Sequence, residues 1–199
     1  GRRWTVWFLA IYLIGMSGVI AVWISKPVLS LSAFLLLTLY HFGTGDAIPI
    51  RQTPLMFRIT EIIARGGMVI TFPALAARPE VIELFSFLIP ESGAVILVNR
   101  LAQITPLASA CVLLTIGWSL FEFARFREPV ALGRVVELLV TALMFIQLPP
   151  LLAFMQYFSV LHSLRHMLAV ADWKPEGTLF GYLSDAYRTA LPLTVGTVA

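Results

Sequence analysis

The chain has 199 residues, 59% of them hydrophobic and 13% charged, and its mean hydropathy is +0.88. A soluble domain of this length cannot hide that much apolar surface, so the bilayer must be the solvent. The formal net charge of +3 comes from arginines gathered at segment ends, which is topology signal and gives no reason to assign a nucleic-acid partner. The single cysteine, Cys111, lies in an apolar stretch and excludes an intramolecular disulfide.

The chain opens on Gly1-Arg2-Arg3-Trp4 without an initiator methionine and stops without a basic flank, so it reads as a fragment of a longer protein, cut at its N-terminus and also at its C-terminus. The first apolar run, residues 4–23, lacks a small-residue cleavage site and is long enough to span, which makes it a mature helix rather than a signal peptide. Further apolar stretches follow at 28–42, 57–76, 101–123, 135–148 and 151–170, with a weaker one at 178–198. Residues 78–100 are apolar in part but too short to span between Pro79 and Pro90, so an interfacial or re-entrant helix is expected there. These stretches predict an all-α fold: one multi-pass transmembrane helical bundle of about six to seven helices, a single domain over residues 1–199.

With alternating helices, Arg2, Arg3, Arg51, Arg58, Arg125, Arg127 and Arg134 all fall on one side, which should be cytoplasmic. Pro149 and Pro150 decide the last part of the topology. Residues 135–170 as one helix would be about 54 Å long against a hydrocarbon core of about 30 Å, so the double proline should end one helix and start the next.

Three histidines sit near the ends of apolar stretches: His41, His162 and His166. If the chain turns at the prolines, His41 lies about 20 Å along its own inward helix, and His162 and His166 lie about 18 and 24 Å along another, so all three reach one depth. The four-residue spacing of His162 and His166 puts both rings on one helix face, as in helical metal sites. Ionisable groups in a membrane segment normally face protein, cavity or ligand, so a shared metal site is one reading and interhelical hydrogen bonds are the other. An all-imidazole donor set suits iron, copper, zinc or nickel without choosing among them.

Gly43 and Gly45 beside His41 permit close backbone approach or a sharp helix exit. Asp46 reads equally as a partner orienting an imidazole or as a plain interfacial charge. Glu61, Glu122 and Glu137 fall near the same level, where each could steady a ligating histidine, although Arg65 one turn after Glu61 offers it an intrahelical ion pair. Arg165 reads as a snorkelling side chain or the partner of an acid.

Three segments carry a family likeness: Tyr40-His41-Phe42-Gly43-Thr44-Gly45-Asp46, Ala64-Arg65-Gly66-Gly67 with the run to Pro73, and Leu148-Pro149-Pro150-Leu151-Leu152-Ala153-Phe154 leading through Tyr157-Phe158 to His162-Ser163-Leu164-Arg165-His166. Together they resemble the Brp/Blh family of integral-membrane β-carotene dioxygenases. That resemblance implies a multi-pass protein of the cell inner membrane that uses ferrous iron, Fe(2+), and dioxygen to cleave the central double bond of β-carotene into two molecules of retinal, with a functional link to a microbial rhodopsin. By motif position, His41, His162 and His166 would be the iron ligands, joined in the family by a fourth histidine on an earlier helix. This sequence has no such residue, and a missing upstream helix accounts for it most simply.

The competing class is a transporter or channel whose histidines line a proton or metal-ion path, with the double proline as a helix break at the site. A bis-histidine haem protein is a third reading. Ion flux, a Soret band or retinal formation separates the three. No Ser-His-Asp arrangement, phosphate-cradling glycine loop or cysteine cluster is present.

Overall fold

The computed structural model describes residues 2–48 and 53–165. The expected all-α architecture is found: among the described residues there are seven α-helices followed by one π-helical segment, and no strand. Five helices are long and apolar enough to cross a membrane. They are α1 (Arg2–Ser25), α2 (Pro27–Asp46), α3 (Leu55–Ala76), α5 (Glu91–Phe126) and α6 (Pro129–Gln147); α4 (Arg78–Ser86) and α7 (Pro150–Gln156) are short. The chain divides into two compact units, Gly1–Phe154 and Met155–Ala199. The weak stretch at 178–198 lies outside the described residues.

Prolines set most helix starts. Pro27, Pro129 and Pro150 open α2, α6 and α7, Pro79 lies in the first turn of α4, and Pro54 and Pro90 stand immediately before α3 and α5. Proline needs no hydrogen-bond acceptor in a first turn and its φ is already helical, so it marks a start at little cost. The double proline acts as expected. Helix α6 stops at Gln147, Leu148 is extended, and a new helix begins at Pro150. Phe154 then meets Phe42, their ring centroids 6.0 Å apart, so the chain has turned back toward the end of α2.

Residues 78–100 differ from expectation. Arg78–Ser86 is a separate short helix, but residues 91–100 belong to α5, which runs 36 residues without a break. At 1.5 Å per residue that is about 54 Å, well beyond the hydrocarbon thickness, so the helix projects past it or tilts. Pro106 lies inside α5 and Pro73 inside α3. Thr105 spans the two helices, its hydroxyl donating to the Thr71 carbonyl at 3.0 Å and to its own Leu101 carbonyl at 3.1 Å.

Helix α3 is the centre of the first unit, with Ala64, Gly66, Met68 and Ala74 all buried. It runs antiparallel to α5 with a constant register. Phe57 stacks on Trp118 at 4.1 Å, Gly67 faces Ala108, and Thr71 faces Thr105. Helices α2 and α3 meet at glycines: a Cβ on Gly43 would lie 2.3 Å from the Ile62 carbonyl oxygen, and one on Gly66 2.0 Å from that of Leu39. Van der Waals packing between close backbones is how membrane helices associate where no hydrophobic drive separates helix from lipid.

At the opposite end, Leu31, Ile89 and Ala94 form a small core with Trp23, Ile82 and Phe85 against it. Trp23 donates its indole N–H to the Leu88 carbonyl at 3.2 Å, tying α1 to the turn after α4. Otherwise α1 is bare, with none of its apolar window buried, as suits a helix solvated by lipid. Lipid-side hydroxyls hide by bonding within their helices, as Ser32 does to Val28 and Thr38 to Phe34.

Candidate functional site

Charged side chains cluster where the end of α2, the start of α3, the end of α5 and the start of α6 converge. Glu61 and Arg65 lie one turn apart on α3 and form an ion pair at 2.9 Å. Arg65 also reaches Glu137 of α6 at 3.1 Å. Arg134, also on α6, pairs with Glu122 of α5 at 2.9 Å, and its Nε lies 3.3 Å from Glu61 Oε1 without hydrogen-bond alignment. The same guanidinium donates to the Ser119 hydroxyl at 3.2 Å and to the Ile48 carbonyl at 2.8 Å. Thr53 donates its hydroxyl to Glu122, and the Ile48 amide donates to Glu61 at 3.1 Å.

Arg134 falls at the same end as Arg58, Arg125 and Arg127, as the sequence pattern predicts, but they are exposed whereas it is 1% exposed and sits at the centre of the cluster. Glu61, Glu122 and Glu137 each have a guanidinium partner, and the resulting ion pairs tie α3 to α6 and α5 to α6. Removing one partner of such a buried pair costs about 3–5 kcal/mol, because the other charge is stranded.

Asp46 is 2% exposed, which rules out the plain interfacial charge. It lies on the buried side of α2 with Phe42 and Gly43, while His41 lies on the exposed side with its ring 5.4 Å from that of Phe42. Gly43 gives its clearance to the Ile62 backbone, and the helix continues through Gly45 to Asp46.

In the second unit, His162 ends a π-helical segment, Tyr157–His162, that the sequence pattern did not reveal. The Ser163 amide and hydroxyl both reach the Phe158 carbonyl five residues back, the hydroxyl at 2.7 Å. The wider turn sets His162 beside two aromatic rings, Phe158 at 5.7 Å and Tyr157 at 6.3 Å between centroids. His162 is 4% exposed. Single π-turns inside α-helices occur often at functional sites, since the extra residue re-aims the side chains around it. Arg165 is half-buried, and His166 lies outside the described residues. Among the described residues, no three His, Cys, Asp or Glu side chains form a group able to hold a metal.

One apolar cleft of about 190 Å³ opens between α2, α3 and α5. Leu35, Leu36 and Leu39 line one wall, Ile70 and Leu101 the others, and its end at Leu39 is two residues from His41.

The family model for beta-carotene 15,15'-dioxygenase matches residues 1–199. A beta-carotene 15,15'-dioxygenase from uncultured marine bacterium 66A03 is 30% identical over 172 residues, covering 83% of this chain and 56% of the relative. The probable beta-carotene 15,15'-dioxygenase Blh of Halobacterium salinarum is 28% identical over 222 residues, covering 99% of this chain and 62% of the relative. The chain thus spans less than two thirds of the length of these curated relatives. No solved structure matches. With the family match running the length of the sequence, over the glycine seam and all three histidines alike, this chain belongs to the beta-carotene 15,15'-dioxygenase family.

Proposed function

We propose that the protein containing this chain cleaves β-carotene at its central double bond to give retinal, using dioxygen and ferrous iron held by His41, His162 and His166 in the cell inner membrane. The observation that carries this reading is the family match over residues 1–199. Retinal made in the membrane would supply a retinal-binding opsin there.

The donor chemistry fits iron. Neutral imidazole is a suitable iron ligand, and His162 is a buried imidazole in a segment otherwise apolar. Bound in this way, the iron would supply activation of dioxygen. Tyr157 and Phe158 keep water from the His162 ring and restrict its rotation. The cleft between α2, α3 and α5 offers a wall that is mostly hydrocarbon, with Ser32 and Thr71 as the hydroxyl residues in its lining. Its volume suits part of a polyene rather than a whole one, so regioselectivity would come from how deeply the substrate seats. No residue need act as a nucleophile.

The complete parent protein, expressed in β-carotene-producing cells, tests this. Loss of orange colour with retinal in the extract is the expected result. Unchanged pigment in iron-replete cells that express the protein well would overturn it, and ion flux in vesicles would replace it with a transporter.

A further inference from the structure

The buried ion network does something that helix packing alone does not require. Ile48 lies two residues beyond the end of α2, and both of its peptide groups are held by charged side chains from other helices: Glu61 of α3 accepts from its amide at 3.1 Å, and Arg134 of α6 donates to its carbonyl at 2.8 Å. Helix α2 is held along its length by the close backbone seam of Gly43 and Gly66 against α3. That seam stops at Gly43, and the bonds at Ile48 carry the hold past it to the last turn of the helix and the chain beyond Asp46.

We infer that Arg134 is a positioning residue, which with Glu61 clamps the chain at Ile48 and thereby sets the rotation and depth of the α2 end that carries His41 and Asp46. Burying charge is a poor way to gain stability, since an apolar pair of similar volume is often as good or better. What the fork of Arg134 adds is direction: one guanidinium bonds Glu122, Ser119 and the Ile48 carbonyl at once, which a lysine ammonium cannot do in the same plane. The consequence for metal binding rests on the proposed iron site, whereas the clamp itself does not.

The test places a nitroxide at position 41 of the full chain, as His41→Cys in a Cys111→Ala background, and reads its mobility. Arg134→Met combined with Glu122→Met removes both members of the ion pair and leaves no stranded charge, so the protein should be at least as stable as the parent, yet the nitroxide spectrum should sharpen. Thr105→Val, in mid-α5 where it meets Thr71 toward the far end of α3, should lower stability and leave the spectrum unchanged. If the double variant leaves position 41 as immobile as in the parent, the clamp is disproved. In the chain with its native histidines, Arg134→Lys should weaken Fe(2+) binding by about tenfold or more, the usual effect of losing support behind a ligand. Should the complete parent protein bind no Fe(2+), the iron reading fails while the nitroxide result still decides the clamp.

Discussion

Gly66 and Leu39 approach so closely that a methyl group on Gly66 would lie 2.0 Å from the Leu39 carbonyl oxygen. The obstacle is backbone, so nothing short of moving α2 relieves it. Gly66→Ala should therefore destabilise the protein by about 1–3 kcal/mol or more, measured as a fall in detergent-unfolding midpoint. Gly67→Ala, which would meet only the Ala108 side chain at 3.1 Å, should cost clearly less. Equal losses for the two would contradict the seam.

Glu122 is fully buried and pairs with Arg134, which is itself 1% exposed. Glu122→Leu leaves that guanidinium with less negative charge around it and should cost about 3–5 kcal/mol. Unfolding in mixed micelles measures it. Arg125→Leu on the same helix end removes an exposed charge and should change stability by less than about 0.5 kcal/mol.

Arg127 closes α5 in the left-handed conformation, at φ 55°, with its amide bonded to the Phe123 carbonyl. Glycine adopts that conformation without a Cβ penalty, so Arg127→Gly should raise stability by about 1 kcal/mol. A loss instead would mean that the arginine side chain contributes more than its backbone strain costs.

On the proposed iron site, His162→Ala in the complete parent protein should abolish retinal formation and lower iron content together. A chelator should silence the parent protein, and Fe(2+) should restore it, while magnesium should not. Phe158→Leu keeps the imidazole but removes one flanking ring, and should reduce activity without removing iron. Iron content measured beside activity separates the two effects.

Much of the fold was legible because prolines and apolar length are local signals. The stretch at 28–42 and the Pro149-Pro150 pair gave helix limits close to those found, whereas α6 starts at Pro129, six residues before the apolar stretch at 135–148. Residues 91–100 were misread because Pro90 marks a boundary without saying that a long helix starts there, and a helix of 36 residues exceeds what a bilayer demands. The burial of Arg134 was illegible for a different reason. As a sequence letter it resembles Arg125 and Arg127, and its partners Ile48, Ser119 and Glu122 all lie on other segments of the chain. The Glu61–Arg65 pair was readable, being one helical turn apart. The π-turn before His162 left no trace in the residue pattern, since Tyr-Phe-Ser-Val-Leu-His suits an α-helix equally well.

The Arg134–Glu122 contact also bears on how the protein enters its bilayer. Both charges belong to one helical hairpin, so an α6 threaded into lipid ahead of its neighbour would carry the guanidinium without its α5 partner, at a cost bounded by the roughly 2.5–3.5 kcal/mol that insertion scales assign to an arginine at a helix centre. Delivering the two helices jointly cancels that charge before the hydrocarbon is reached, which makes the hairpin, and not the single helix, the unit of biogenesis at this end of the chain.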